Sequence, residues 1–181
     1  MMTLPFYKTL RVFQVLLISA MVFPCGSTLA ANNNLSFDGT LVSEPCNLDP
    51  ATSEITVDFG TVIDKELYKY ARTAGKPFTI NLTECDPSLA NSVTMTFSGT
   101  ESSALPGFLA VTGTPGVTIG MESNTGTPVP FNKPSPASQI FSGNNSVTFN
   151  AFVQAEPDAI SQHTIATGSF SSIATFEMAY Q

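Results

Sequence analysis

Apolar and polar residues alternate with a period of two along most of the chain, in short runs punctuated by Gly, Pro, Asn and Ser clusters. In an extended segment such alternation places every second side chain on one face. Leu35, Phe37 and Leu41 share one parity; Ile55, Val57 and Phe59 form a second run; Phe78, Ile80 and Leu82 a third; Val93, Met95 and Phe97 a fourth. Further runs follow at 108–111, 117–121, 147–153 and 170–180. Each predicts a half-buried strand.

Helical periodicity is nearly absent. The exception is Asp64-Lys65-Glu66-Leu67-Tyr68-Lys69-Tyr70-Ala71-Arg72, a charge-rich stretch that predicts a helical turn or two on a surface connection before Ala74-Gly75. Residues 126–136 are rich in Pro and predict a loop crossing a sandwich edge, because Pro cannot donate to a central ladder. Short strands at this spacing predict an all-β fold, an antiparallel sandwich of the immunoglobulin type.

The first 30 residues follow a different rule. Lys8 and Arg11 precede an apolar run over 12–23, and the small-residue stretch 26–30 ends at Ala30. This is the pattern of a signal peptide, residues 1–30, cut after Ala30. Its apolar core is roughly a dozen residues, short of the ~20 that cross a bilayer as a helix. Cys25 as a lipidated cysteine fits less well, because Phe23-Pro24 stands where small residues are wanted.

Loss of the leader removes Cys25 and leaves Cys46 and Cys85, an even pair in an oxidising compartment, which predicts one disulfide. Half of a metal site is the competing reading, and it lacks ligands, since His163 is the only histidine. The remaining chain, about 150 residues, suits one domain. Without Lys8 and Arg11, 5 of the 7 basic residues face all 14 acidic ones, a formal charge of −9. That balance disfavours nucleic acid as a partner.

Catalytic chemistry finds no footing. His163 sits in a polar, loop-like context, and no Ser lies in a nucleophile elbow. Glu84 and Asp86 flank Cys85 as a carboxylate pair, but they read as solvated residues beside a disulfide. The chain is not expected to be an enzyme, and no cofactor is implied.

The termini carry the most informative patterning, where a self-contained domain usually has none. Asn33, Leu35, Phe37, Gly39 and Leu41 alternate ahead of Pro45-Cys46, and Phe170, Ala174, Phe176, Met178 and Tyr180 alternate up to the final Gln181. A sandwich ending on such a strand leaves an exposed apolar edge, an aggregation hazard unless something covers it.

These features resemble the pilins of the chaperone-usher pathway, the type 1 fimbrial subunits. The segment from Leu35 to Cys46 looks like that family's N-terminal extension, with its glycine, short strand and first cysteine. The second cysteine follows an alternating strand, Gly168 stands fourteenth from the end, and Tyr180 is penultimate, as in the family.

The resemblance implies an incomplete immunoglobulin-like sandwich lacking its last strand. It divides the mature chain into a donor-strand extension, 31–43, and a pilin domain, 44–181. A periplasmic chaperone would supply the missing strand first, at an outer-membrane usher the extension of a neighbouring subunit would replace it, and the product would be a cell-surface fimbria that supports adhesion. By position, Leu35, Phe37, Gly39 and Leu41 would be donor residues, and Gly168, Phe170, Phe176, Met178 and Tyr180 would line or border the receiving edge. Asn33 is polar where major rod subunits tend to be apolar, which inclines the reading towards a minor or adaptor subunit. A tip adhesin and a free-standing carbohydrate-binding sandwich are the alternatives; an adhesin would need a further lectin domain, and the chain has no Trp to stack on a sugar.

Overall fold

The computed structural model describes residues 43–181 together with Phe37, Gly39 and Leu41. Its contacts divide the chain between Thr40 and Leu41, and the sandwich belongs to the unit Leu41–Gln181. Leu35 and residues 1–30, expected to be a signal peptide, lie outside the described residues.

Alternation of β-branched and aromatic residues produces the central ladder. Strand β2 (Lys76–Cys85) pairs antiparallel with β8 (Gly143–Ala155), Phe78 opposite Phe149 and Ile80 opposite Val147. On the other face of the same ladder the Thr79 and Thr148 hydroxyls meet at 2.9 Å. Strand β1 (Asn47–Leu48) borders β2, while β6 (Val117–Ser123) and β4 (Leu109–Ala110) continue beyond β8, giving a five-stranded sheet in the order β1-β2-β8-β6-β4.

A second sheet faces it. There β3 (Ser92–Ser98) lies between β7 (Ser138–Gln139) and β10 (Thr175–Tyr180). Two short strands, β5 (Thr112–Gly113) and β9 (Phe170–Ser171), pair separately. Between the sheets Ile80, Leu82, Val93, Met95 and Val129 are buried, and Phe97 meets Phe149 and Phe78 edge-on at 5.0 and 6.1 Å. Edge-to-face packing suits the ring quadrupoles.

Cys46 and Cys85 are joined by a disulfide and almost fully buried. It ties the start of the domain to the end of β2, where the ladder with β8 shifts register between Leu82 and Cys85. At that bulge Glu84 adopts φ 53°, and its carboxylate accepts a 2.6 Å hydrogen bond from the Asn47 side chain. The bulge, rather than a regular alternation about Cys85, sets where Glu84 points.

Three expectations need correction. Residues 54–63 are not a strand: β1 ends in the 3-10 turn Pro50–Thr52, and the chain beyond it has no ladder partner, although Val57 and Phe59 still turn inward while Thr56 and Asp58 face solvent. The run 170–180 is not one strand, because β9 joins β5 and the Ser172 hydroxyl turns to the Ala110 carbonyl at 2.6 Å before β10 begins. A second helix, α2 (Pro157–Gln162), has no counterpart in the sequence pattern; Pro157 opens it and Ala159 is its buried anchor. His163 caps it in the left-handed conformation and stacks on Tyr68 with ring centroids 5.0 Å apart.

The charged stretch does form a helix, α1 (Asp64–Tyr70). It is more than a surface connection, since Leu67 is fully buried with Val117, Val153 and Ala155 in a satellite core. Residues 126–136 run as a non-helical crossing segment that sends Val129 and Phe131 into the main core.

Candidate functional site

The second sheet is open along one side. β10 pairs with β3 through Phe176 opposite Phe97, Met178 opposite Met95 and Tyr180 opposite Val93, and it is the edge strand of that sheet. Among the described residues its outer backbone groups therefore have no ladder, and the segment that could have supplied one, over 54–63, holds back from it as irregular chain. An unpaired edge of this kind is a template for another strand.

Between β10 and residues 53–59 lies an open hollow of about 350 Å³. Its walls are Ile55, Val57 and Phe59 on one side and Ala174 and Phe176 on the other; its floor is made by Phe97, Ile119, Met121 and Phe131 from the main core. A second hollow of about 370 Å³ shares Ile55, Val57, Phe59, Ile119 and Ala174 with the first and reaches Phe170. A smaller one, about 80 Å³, carries on past Phe170 to Gly168, Val62 and Leu67. The shared residues make these one groove, largely apolar and open to solvent.

The side chains of β10 alternate as the groove requires. Phe176, Met178 and Tyr180 are half-buried against the core, and Thr175, Glu177 and Ala179 are exposed. Phe176 stacks obliquely with Phe97 at 6.2 Å. Tyr180 ends β10, its hydroxyl 3.5 Å from the Cys46 carbonyl oxygen; burial first, and then the Glu44 carboxylate, push its pKa up.

Gly168 lies at the end of the groove past Phe170. Its φ of +151° belongs to a region that only glycine enters without strain, and a Cβ there would meet the Thr114 hydroxyl at 3.0 Å. Of the five residues expected at the receiving edge, Gly168, Phe170 and Phe176 line these hollows, while Met178 and Tyr180 continue the inward-facing side of β10 beyond them. Of the expected donor residues, Phe37, Gly39 and Leu41 belong to no strand, and Phe37 and Leu41 are 86% and 100% exposed.

Sequence reasoning misses the opposite wall. Ile55, Val57 and Phe59 carry a signal, their alternation, but it reads as a paired strand rather than as an unpaired rim. The floor residues carry none that separates them from ordinary core.

Among the described residues, no group of three or more His, Cys, Asp or Glu side chains is placed to hold a metal ion. Glu84 and Asp86 stay in solvent, with Asp86 held below its usual pKa by hydrogen bonds from the Ser88 hydroxyl and amide. No described helix is long and apolar enough to cross a membrane.

Comparison with known proteins agrees with this geometry. The family model described as "Fimbrial protein" matches residues 35–181. Fimbria A protein of Serratia marcescens is 27% identical over 177 residues, which cover 95% of this chain and all of that one. The uncharacterized fimbrial-like protein YfcP of Escherichia coli K12 is 34% identical over 169 residues, 89% of this chain and 92% of that protein. A solved structure of a chaperone-usher pilus superposes with a TM-score of 0.67 at 22% identity, covering 82% of this chain and 94% of its own. That likeness is one of fold, an immunoglobulin-like pilin sandwich.

Proposed function

The chain belongs to the fimbrial protein family, and from that membership we propose that it is an exported, non-enzymatic subunit of a cell-surface chaperone-usher pilus that polymerises by donor-strand exchange. In this reading the groove beside β10 is occupied first by a strand from a periplasmic chaperone. At the outer-membrane usher it passes to the N-terminal extension of the adjoining subunit, and the fibre so built supports cell adhesion.

The observation that carries the reading is the pairing of an unladdered edge strand with an apolar groove that reaches the main core. A donor strand satisfies both at once. Its backbone adds a ladder to β10, each bond worth about 0.5–1.5 kcal/mol net. Its alternate side chains enter the groove, each large one worth about 1.5–3 kcal/mol if fully buried. Ordering the strand costs about 1–2 kcal/mol per residue. A polar strand would recover only the ladder, so the groove selects strands with an apolar alternation.

The chain's own extension has that alternation: Leu35, Phe37 and Leu41 on one face with Gly39 between them. Its described residues stand in solvent, which suits a segment offered to a neighbour. A receiving groove and a strand-like extension are the two halves such a joint requires.

Titrating a fluorescent peptide of residues 32–42 with the protein tests the reading. Saturable binding that Phe176→Asp weakens at least tenfold is expected. Binding indifferent to Phe176, or none at all, would remove the groove from the mechanism.

A further inference from the structure

The two ends of the sandwich differ in chemistry. β8 runs from Gly143, opposite Cys85, to Ala155, opposite Val117, so its 13 residues hold those ends about 40 Å apart. At the first end the domain begins: the Asp86 amide donates to the Pro45 carbonyl at 2.7 Å, and the Asn91 amide donates to the Gln181 carbonyl at 3.0 Å. Glu44, Glu84 and Asp86 are exposed there, beside two apolar side chains in solvent, Leu89 at 53% and Phe141 at 64% exposure.

At the opposite end stands α1. Lys65 and Lys69 lie about one turn apart, on the side of the helix away from buried Leu67. Both are exposed, and among the described residues neither is ion-paired. Asp64 and Glu66 share the helix and Glu156 and Asp158 lie nearby on α2, so this end is mixed in charge while the first has carboxylates alone. A like-charged pair one turn apart weakens an isolated helix slightly, so the fold itself gains nothing from it. Exposed apolar residues stand here too, Ile63 at 50% and Tyr70 at 62%.

The groove determines which ends meet. Every strand pair among the described residues is antiparallel. A strand added beside β10 in the same sense has its C-terminal end at Thr175, and Phe170 leads on from there to the core around α1. Only Val42 and Ser43 separate Leu41 from Glu44. The body of a donating subunit therefore arrives with its Glu44 end against the α1 end of the acceptor.

Resting on the strand-exchange reading above, we propose that the α1 end is a docking surface for a second copy of this chain. Lys65 and Lys69 of the acceptor face Glu44, Glu84 and Asp86 of the donor, and Leu89 and Phe141 cover Ile63 and Tyr70. The strand supplies the strength of the joint; the end-to-end contact sets its angle, and the two lysines offset the repulsion between ends that are otherwise both acidic.

Elongation of the full chain, measured by light scattering at low and high salt alongside binding of the 32–42 peptide, tests the proposal. Lys65→Glu with Lys69→Glu should take the peptide as the wild type does, yet elongate about tenfold more slowly at low salt. Adding Glu84→Lys with Asp86→Lys to the same chain should restore most of the rate; if that variant does not fold, Glu44→Lys provides the reversal. Elongation of the lysine variant at the wild-type rate, failure of every reversal to rescue it, or a wild type that takes the peptide but forms no chains of copies would overturn the proposal. Failure of the peptide to bind the wild type would sink the strand-exchange reading itself, and this proposal with it.

Discussion

The Tyr180 hydroxyl stands 3.5 Å from the carbonyl oxygen of Cys46, across 134 residues of chain. The last residue of β10, penultimate in the chain, is thereby set against a residue near the start of the domain, and the disulfide fixes that residue in turn to β2. The end of β10 is thus positioned from three directions: by the ladder with β3, by the core beneath Tyr180 and by the backbone at Cys46. Most of this is packing. Tyr180→Phe should change stability by less than about 1 kcal/mol, whereas Tyr180→Ala should cost about 1–3 kcal/mol; urea denaturation of the two variants separates these contributions.

The disulfide closes a loop across a sequence separation of 39. Chain entropy assigns such a loop about 4 kcal/mol, acting through the unfolded state. Cys46→Ser with Cys85→Ser should lower the denaturation midpoint accordingly, while a midpoint within error of the wild type would mean the reduced chain is held by other contacts.

Gly120 lies in the middle of β6 beneath two aromatic rings. A Cβ there would run into Phe152 and Phe108, which pack edge-on with centroids 6.2 Å apart. Gly120→Ala should therefore destabilise by about 1–3 kcal/mol through overpacking, although it adds a better strand former. Calorimetry that finds the alanine variant more stable than wild type would contradict this packing.

Arg72 makes two hydrogen bonds to Glu122, at 2.9 and 3.0 Å, and its guanidinium lies 3.5 Å over the Phe152 ring. Those hydrogen bonds, followed by the smaller pull of the Arg72 charge, hold the Glu122 carboxyl below its usual range against the opposing effect of burial. The pair therefore contributes fully above the unfolded carboxyl pKa, about 4.3, and its contribution fades as pH falls through the lower folded value. Glu122→Gln should cost about 0.5–1 kcal/mol at neutral pH. Urea denaturation as a function of pH should show that gap closing in acid.

The sandwich is legible in the chain because its strands alternate strictly: Phe78, Ile80 and Leu82 could sit on one face of a ladder and nowhere else. The disulfide follows from reading residues 1–30 as a leader, which leaves Cys46 and Cys85 as a pair. Alternation reports which face is buried but says nothing about whether a neighbour exists, and so Ile55, Val57 and Phe59 read as a paired strand when they form the rim of a groove. The run from Phe170 to Tyr180 misleads in the same way, since its alternation continues across the break at Ser172. α2 is invisible because six residues give too little periodicity to register, and only Pro157 marks its start. The end-to-end asymmetry of Glu44, Glu84 and Asp86 against Lys65 and Lys69 depends on the strand register, which a linear reading does not contain.

Strand exchange is tested most directly by thermal unfolding of a chain beginning at Ser43, with and without residues 32–42 attached through a flexible linker after Gln181. The account predicts a marginally stable protein whose melting temperature rises by well over ten degrees when the strand is attached, about 2–4 °C following each kcal/mol gained in a domain near this size. A chain already stable alone, and unchanged by the added strand, would mean that the sandwich is complete without a donor and that the groove beside β10 is not where subunits join.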